Sequence, residues 1–175
     1  MAAGPTAEVS YQARRLRVTV EMPFDEFRKR YEAAVPEYDP PTFGALVKRG
    51  ADWSEMVALM DRSAPHGFLR YWGSDVEPLM TLAGDPGPCA VYLMGNHVII
   101  EEMYRYDPDA FLYAPLRPVI SSRSSGSTQF SIDQPSLLFG SFGDDRITKV
   151  GVELDRKVAA LLRHLGAPVP PALAG

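Results

Sequence analysis

The chain runs to 175 residues, 46% hydrophobic and 23% charged, the proportions of one ordinary globular domain with a core of its own. Eighteen Lys and Arg against 22 Asp and Glu leave a formal charge of −4, so there is no basic field to hold a nucleic-acid backbone. The lone Cys89 excludes an internal disulfide, and no apolar run approaches the roughly 18 residues of a membrane span.

Leu16, Val18, Val20 and Met22 alternate with Arg17, Thr19 and Glu21, the period of a half-buried strand. Pro23 opens a helix with Phe24, Phe27, Tyr31 and Ala34 at helical spacing, and Pro36 closes it. Asp52 with Glu55 reads as a capping box for a helix carrying Trp53, Met56, Val57 and Met60. Residues 39–50 take no assignment. Gly67–Trp72 is expected as a strand and Pro78–Ala83 as a second, with a turn over Gly84-Asp85-Pro86-Gly87-Pro88. Cys89–Met94, apolar on both faces, is expected as a central strand. Asn96 then caps a helix with Ile99, Met103 and Tyr106 on one face, and Asp107-Pro108 stops it. Leu116–Ser122 and the strand of Thr128, Phe130 and Ile132 form a hairpin through Ser124-Ser125-Gly126-Ser127. Asp144 caps the last helix, whose stripe is Ile147, Val150, Leu154, Val158, Leu161 and Leu165. This order predicts an α+β fold: one domain over 11–166, a mostly antiparallel sheet with helices on one face, and loose termini at 1–10 and 167–175.

The chain lacks a glycine-rich phosphate loop, a nucleophile elbow and a Cys-x-x-Cys pair. His66, His97 and His164 are far apart in sequence, so neither a metal site nor a cofactor is expected. The best candidate is the Gly95-Asn96-His97 turn, where a strand feeds a helix N-terminus able to hold a ligand oxygen. His97 shares a helix face with Glu101 and Tyr104 and is suited to proton transfer; the alternative is that Asn96 only caps and His97 faces water. Arg117 is the second catalytic candidate. On the sheet face away from Leu116 and Ile120, it is expected to line an apolar pocket with Val119, Tyr92 and Met94, unless it forms a surface ion pair with Asp133. Arg70 and Trp72 suit a ligand wall or an interface, with sheet packing as the plainer reading. Tyr113 completes the expected ligand-binding set.

Tyr92-Leu93-Met94-Gly95-Asn96-His97, Met103, Leu112-Tyr113-Ala114-Pro115-Leu116-Arg117, the turn at Gly126 and Ile132-Asp133-Gln134-Pro135-Ser136 together resemble the domain-of-unknown-function family numbered 302. The resemblance spans 89–162, with His97 where that family often has proline and Ala114 where it often has leucine. Tyr11–Trp72 is similar in outline, with an apparent insertion near 37–66. The resemblance implies a compact α+β fold of the TATA-binding-protein-like topology and frequent pairing into dimers, and it brings no reaction. The expected function is binding of a small organic ligand, or cofactor-independent isomerase, cyclase or lyase chemistry with His97 moving a proton. The rival expectation is a non-catalytic homodimeric interaction module. Either protein is expected to be cytoplasmic, since Met1–Glu8 lacks the basic start and apolar run of a signal peptide.

Overall fold

The computed structural model describes residues 6–122 and 127–173. Strand β1 (Arg15–Val20) leads into helices α1 (Phe24–Ala34), α2 (Pro40–Lys48) and α3 (Trp53–Ser63). Strand β2 (Leu69–Asp75), helix α4 (Glu77–Leu82) and strand β3 (Cys89–Gly95) follow. Helix α5 (His97–Tyr104) and a 3-10 turn (Pro108–Leu112) lead to β4 (Val119–Ser122) and β5 (Thr128–Asp133). Helices α6 (Pro135–Gly140) and α7 (Asp145–His164) and a 3-10 turn (Pro171–Leu173) finish the chain.

The five strands form one sheet in the order β1-β5-β4-β3-β2, every neighbouring pair antiparallel. The fold is therefore α+β, and β3 is interior to the sheet. Leu16, Val18 and Val20 of β1 are buried, as are Ala90, Tyr92 and Met94 of β3 and Phe130 and Ile132 of β5. They join the apolar stripes of α1 and α7 in one core. The alternating residues on the opposite sheet face are half-buried or exposed. All six expected stripe positions of the last helix are buried, and Asp144 caps it by accepting from the Arg146 amide at 2.8 Å.

Three expectations change. Residues 78–83 belong to a helix rather than a strand: Asp75 Oδ1 accepts from the Glu77 amide at 3.1 Å, and Pro78 fits the first helical turn, where its missing N–H costs nothing. The unassigned stretch contains α2, whose first two residues are Pro40 and Pro41, helix starters at this position for the same reason. The segment beyond Gly166 is not loose as far as Leu173. Leu173 is 1% exposed, and the carbonyl of Ala172 accepts from Gln134 Nε2 at 3.0 Å. The expected hairpin turn lies outside the described residues at Ser124, Ser125 and Gly126.

Gln134 is buried at a junction. Its backbone N–H donates to the carbonyl of Arg14 at 2.8 Å, and its Oε1 accepts from the Arg14 guanidinium at 3.1 Å. Its Nε2 also donates to Asp155 Oδ2 at 2.9 Å, while Asp155 Oδ1 accepts from the Ser136 amide at 3.0 Å. The buried Asp155 carboxylate is thereby satisfied, as a buried charge must be.

A second, smaller core of Phe43, Met60, Ala64 and Leu69 holds α2 and α3 together. It packs with Tyr38, Met56, Tyr71 and Val98, so the α2–α3 pair stands beside the start of α5 and leaves a groove between them.

Candidate functional site

The groove begins with two backbone devices. Asn96 ends β3 and caps α5, its Oδ1 accepting from the Val98 and Ile99 amides at 2.8 and 3.3 Å. Its Nδ2 donates to the carbonyl of Gly67 at 3.0 Å, so both polar atoms of the side chain are engaged in holding the turn. The cap takes up the Val98 and Ile99 N–H groups and reduces the capacity of this helix end to hold an anion. What Asn96 does is fix where His97 starts. On the other side, β2 carries a register shift between Arg70 and Trp72. The extra residue, Tyr71, turns towards α5 and stacks against Tyr38 at 4.8 Å and His97 at 5.0 Å, as bulges re-aim side chains. The Arg70 backbone meanwhile bonds to Pro36 and Tyr38, which brings Tyr38 to the groove.

The cavity has a volume of about 500 Å³. Phe43, Val47, Trp53 and Met56 form one wall, and Ile100, Glu101 and Tyr104 of α5 the other. Tyr38 and His97 lie at one end and Phe111 at the other. His97, Glu101 and Tyr104 thus share a helix face as the sequence spacing implies, but that face lines a groove instead of meeting open water.

The His97 ring is half-buried, edge-on to Tyr38, Phe43 and Tyr71 at 5.3, 6.1 and 5.0 Å. Among the described residues its imidazole nitrogens make no hydrogen bond. Burial pushes its pKa below the ordinary 6.5, because desolvation penalises the imidazolium. At neutral pH it is an uncharged ring with one donor and one acceptor. Burial, with a smaller contribution from Asp39, raises the Tyr38 phenol. Beneath the groove the Tyr71 hydroxyl is buried beside the backbone of His97, and its pKa is raised chiefly by burial.

The remaining predicted site residues lie elsewhere. Ala90 pairs with Ile120, and Met94 bridges to Leu116. Cross-strand partners share a face, so Tyr92 and Met94 point into the helix-covered core with Leu116 and Ile120, at 1% and 0% exposure. Arg117 is exposed. The expected pocket uniting it with Tyr92 and Met94 is not assembled.

Trp72 pairs with Leu93 and is 50% exposed on the open sheet face. Arg70 has its guanidinium 5.9 Å from the Tyr92 ring centre and a buried Nε without a partner. It adjoins an inter-element network in which Tyr92 donates to Glu32 at 2.8 Å, and Arg28 bonds Glu32 and Asp75 at 3.0 Å each. Burial opposes ionisation of Glu32, but these donors hold its carboxyl below the usual range. Tyr113 packs edge-on to Tyr11, Phe139 and Phe142.

His66 and His164, distant in sequence, are stacked with ring centres 3.8 Å apart. No group of three or more His, Cys, Asp or Glu able to hold a metal occurs among the described residues. No helix there is long and apolar enough to cross a membrane.

The family model "Domain of unknown function DUF302" matches residues 52–165. It therefore takes in α3 and β2, including much of the stretch read from sequence as an insertion. A crystal structure of an uncharacterized conserved DUF302 protein from Bacillus stearothermophilus superposes with a TM-score of 0.61 at 16% identity, covering 86% of this chain and 97% of that one. At that identity the likeness speaks for the fold. No curated protein matches the chain. The helix-flanked antiparallel sheet and the family match over most of its length make this chain a member of the DUF302 family.

Proposed function

We propose that the protein binds a small, largely apolar organic molecule in the groove between α2–α3 and α5. The observation that carries this reading is the His97 imidazole: half-buried, without a hydrogen bond to any described residue, on the wall of an aromatic-lined cavity of about 500 Å³. A mostly apolar cleft with a few convergent polar groups is the usual form of a ligand site. His97 supplies a neutral donor and acceptor that orients the ligand. With a reactive ligand it is placed to exchange a proton, the step of a cofactor-independent isomerase, cyclase or lyase. Arg117 has no part in this site.

The test uses N-phenyl-1-naphthylamine, a neutral probe that brightens in apolar surroundings. Its emission rises with the wild-type protein and falls back in Trp53→Ala and Phe111→Ala, each of which removes one aromatic ring of the lining. His97→Gln weakens binding a few-fold, the size of one hydrogen bond, about 1 kcal/mol. No emission change with the wild type, or one insensitive to both aromatic truncations, overturns the reading.

A second reading has its own observation. Trp72, Val91, Leu93 and Val119 lie on the open half of the sheet, and Leu79 and Leu82 of α4 are 64% and 86% exposed. Apolar surface of this kind fits an interface between two copies of the chain, and none of these residues lines the groove.

A further inference from the structure

We propose that the groove selects an organic cation, an ammonium or similar nitrogen centre carried on an apolar body. This rests on the groove being a ligand site and adds the charge of what enters it. The first support is the charge of the lining. Among the groove's lining residues Glu101 is the one carboxylate and His97 the one imidazole, the Tyr38 phenol is raised further from neutral pH by burial, and neither a lysine nor an arginine is present. His97 is neutral near pH 7, as its burial dictates, which leaves the Glu101 carboxylate as the one full charge. The second is the aromatic content. Tyr38, Phe43, Trp53, Tyr104 and Phe111 line the space, and an aromatic ring attracts a cation held over its face within about 6 Å.

The third support is what an anion meets. At the helix end that might have held one, the Asn96 side chain already takes the Val98 and Ile99 amides. Glu101 and Tyr104 sit on the half of α5 nearer its C-terminus, where the backbone dipole is negative. Glu101 pairs with Arg105 on the same helix, but Arg105 is not part of the lining and its side chain is 52% exposed. That pair is screened by water and holds its members weakly, so an incoming ammonium shares the carboxylate without breaking a buried bond.

Three probes with one body and three charges test the proposal: 4-phenylbutan-1-amine, 4-phenylbutan-1-ol and 4-phenylbutanoate, titrated calorimetrically at pH 7.5 in low salt. The amine is expected to bind roughly tenfold tighter than the alcohol, the sum of one carboxylate and one or two ring contacts at a partly exposed site, and the acid weakest of all. Glu101→Gln brings the amine towards the alcohol and leaves the alcohol unchanged, while Trp53→Ala weakens both. If the alcohol or the acid binds as tightly as the amine, or Glu101→Gln preserves the preference, cation selection is wrong and the groove remains a ligand site. Amine and alcohol affinities that both survive Trp53→Ala undiminished place the binding elsewhere and overturn the proposal. If none of the three binds the wild type at millimolar concentration, and the naphthylamine probe fails too, the groove reading falls with it.

Discussion

His97 and His66 share a response to acid although they lie in different parts of the fold. Burial lowers both pKa values below 6.5, with the neighbouring His164 adding to the effect at His66. A base whose folded pKa is depressed binds fewer protons folded than unfolded between that pKa and 6.5, so acid favours the unfolded chain. Full stability is thus present above about pH 6.5 and declines as pH falls through the folded values. Melting curves between pH 7.5 and 5 should show a falling midpoint, flattened in His97→Gln and again in His66→Gln; a midpoint independent of pH over this span contradicts the burial argument. His97 was legible in the sequence because an Asn cap and a helical wheel place it without tertiary knowledge. Arg117 does lie on the face away from Leu116 and Ile120; the expected pocket failed because the pairing of Met94 with Leu116 turns Tyr92 and Met94 to the opposite, helix-covered face, a register that local alternation does not reveal. Tyr38 and Phe43 carried no signal, since they lie around two prolines that read as punctuation, and Tyr71 is aimed by a bulge that a run of strand residues conceals.

Among the elements, α7 was the plainest in the sequence and α6 was not foreseen, though the two are packed most intimately. A Cβ built on Gly151 of α7 comes within 3.0 Å of the Phe139 Cβ and 3.1 Å of the Ser136 Cα. Backbone atoms cannot yield as a flexible side-chain tip does, so the missing side chain is what lets the helices touch. Gly151→Ala should therefore destabilise the fold by about 1–3 kcal/mol, the range for overpacking, despite alanine's better helix propensity. Equilibrium denaturation measures it, and an unchanged or raised stability shows that α6 shifts freely. The same contrast explains the reading of α4 as a strand. Its six residues are too few for helical periodicity to declare itself, and the decisive interaction is the Asp75 carboxylate on the Glu77 amide. The strands of the sheet were legible because one buried face imposes strict alternation along β1 and β5.

At the scale of the molecule the sheet has two unlike sides. One is sealed by helices. The other is polar near β1, with Arg15, Arg17 and Thr19 exposed, and apolar near β2 and β3, where Trp72 stands half-exposed. Association through the apolar half predicts a light-scattering mass near twice the 19.3 kDa of the chain at micromolar concentration, and the single-chain mass for Trp72→Asp. A single-chain mass for the wild type removes this reading without touching the groove, whose lining includes neither Trp72 nor Leu93.

The Gln134 junction has a topological consequence. Arg14 near the start of the described chain and Ala172 near its end are hydrogen-bonded to the same amide, so the path through all five strands begins and finishes at one spot. The structured chain is nearly a closed ring whose seam is a single buried glutamine. Chain entering at Arg14 and chain leaving at Ala172 are therefore neighbours, however many residues lie between them.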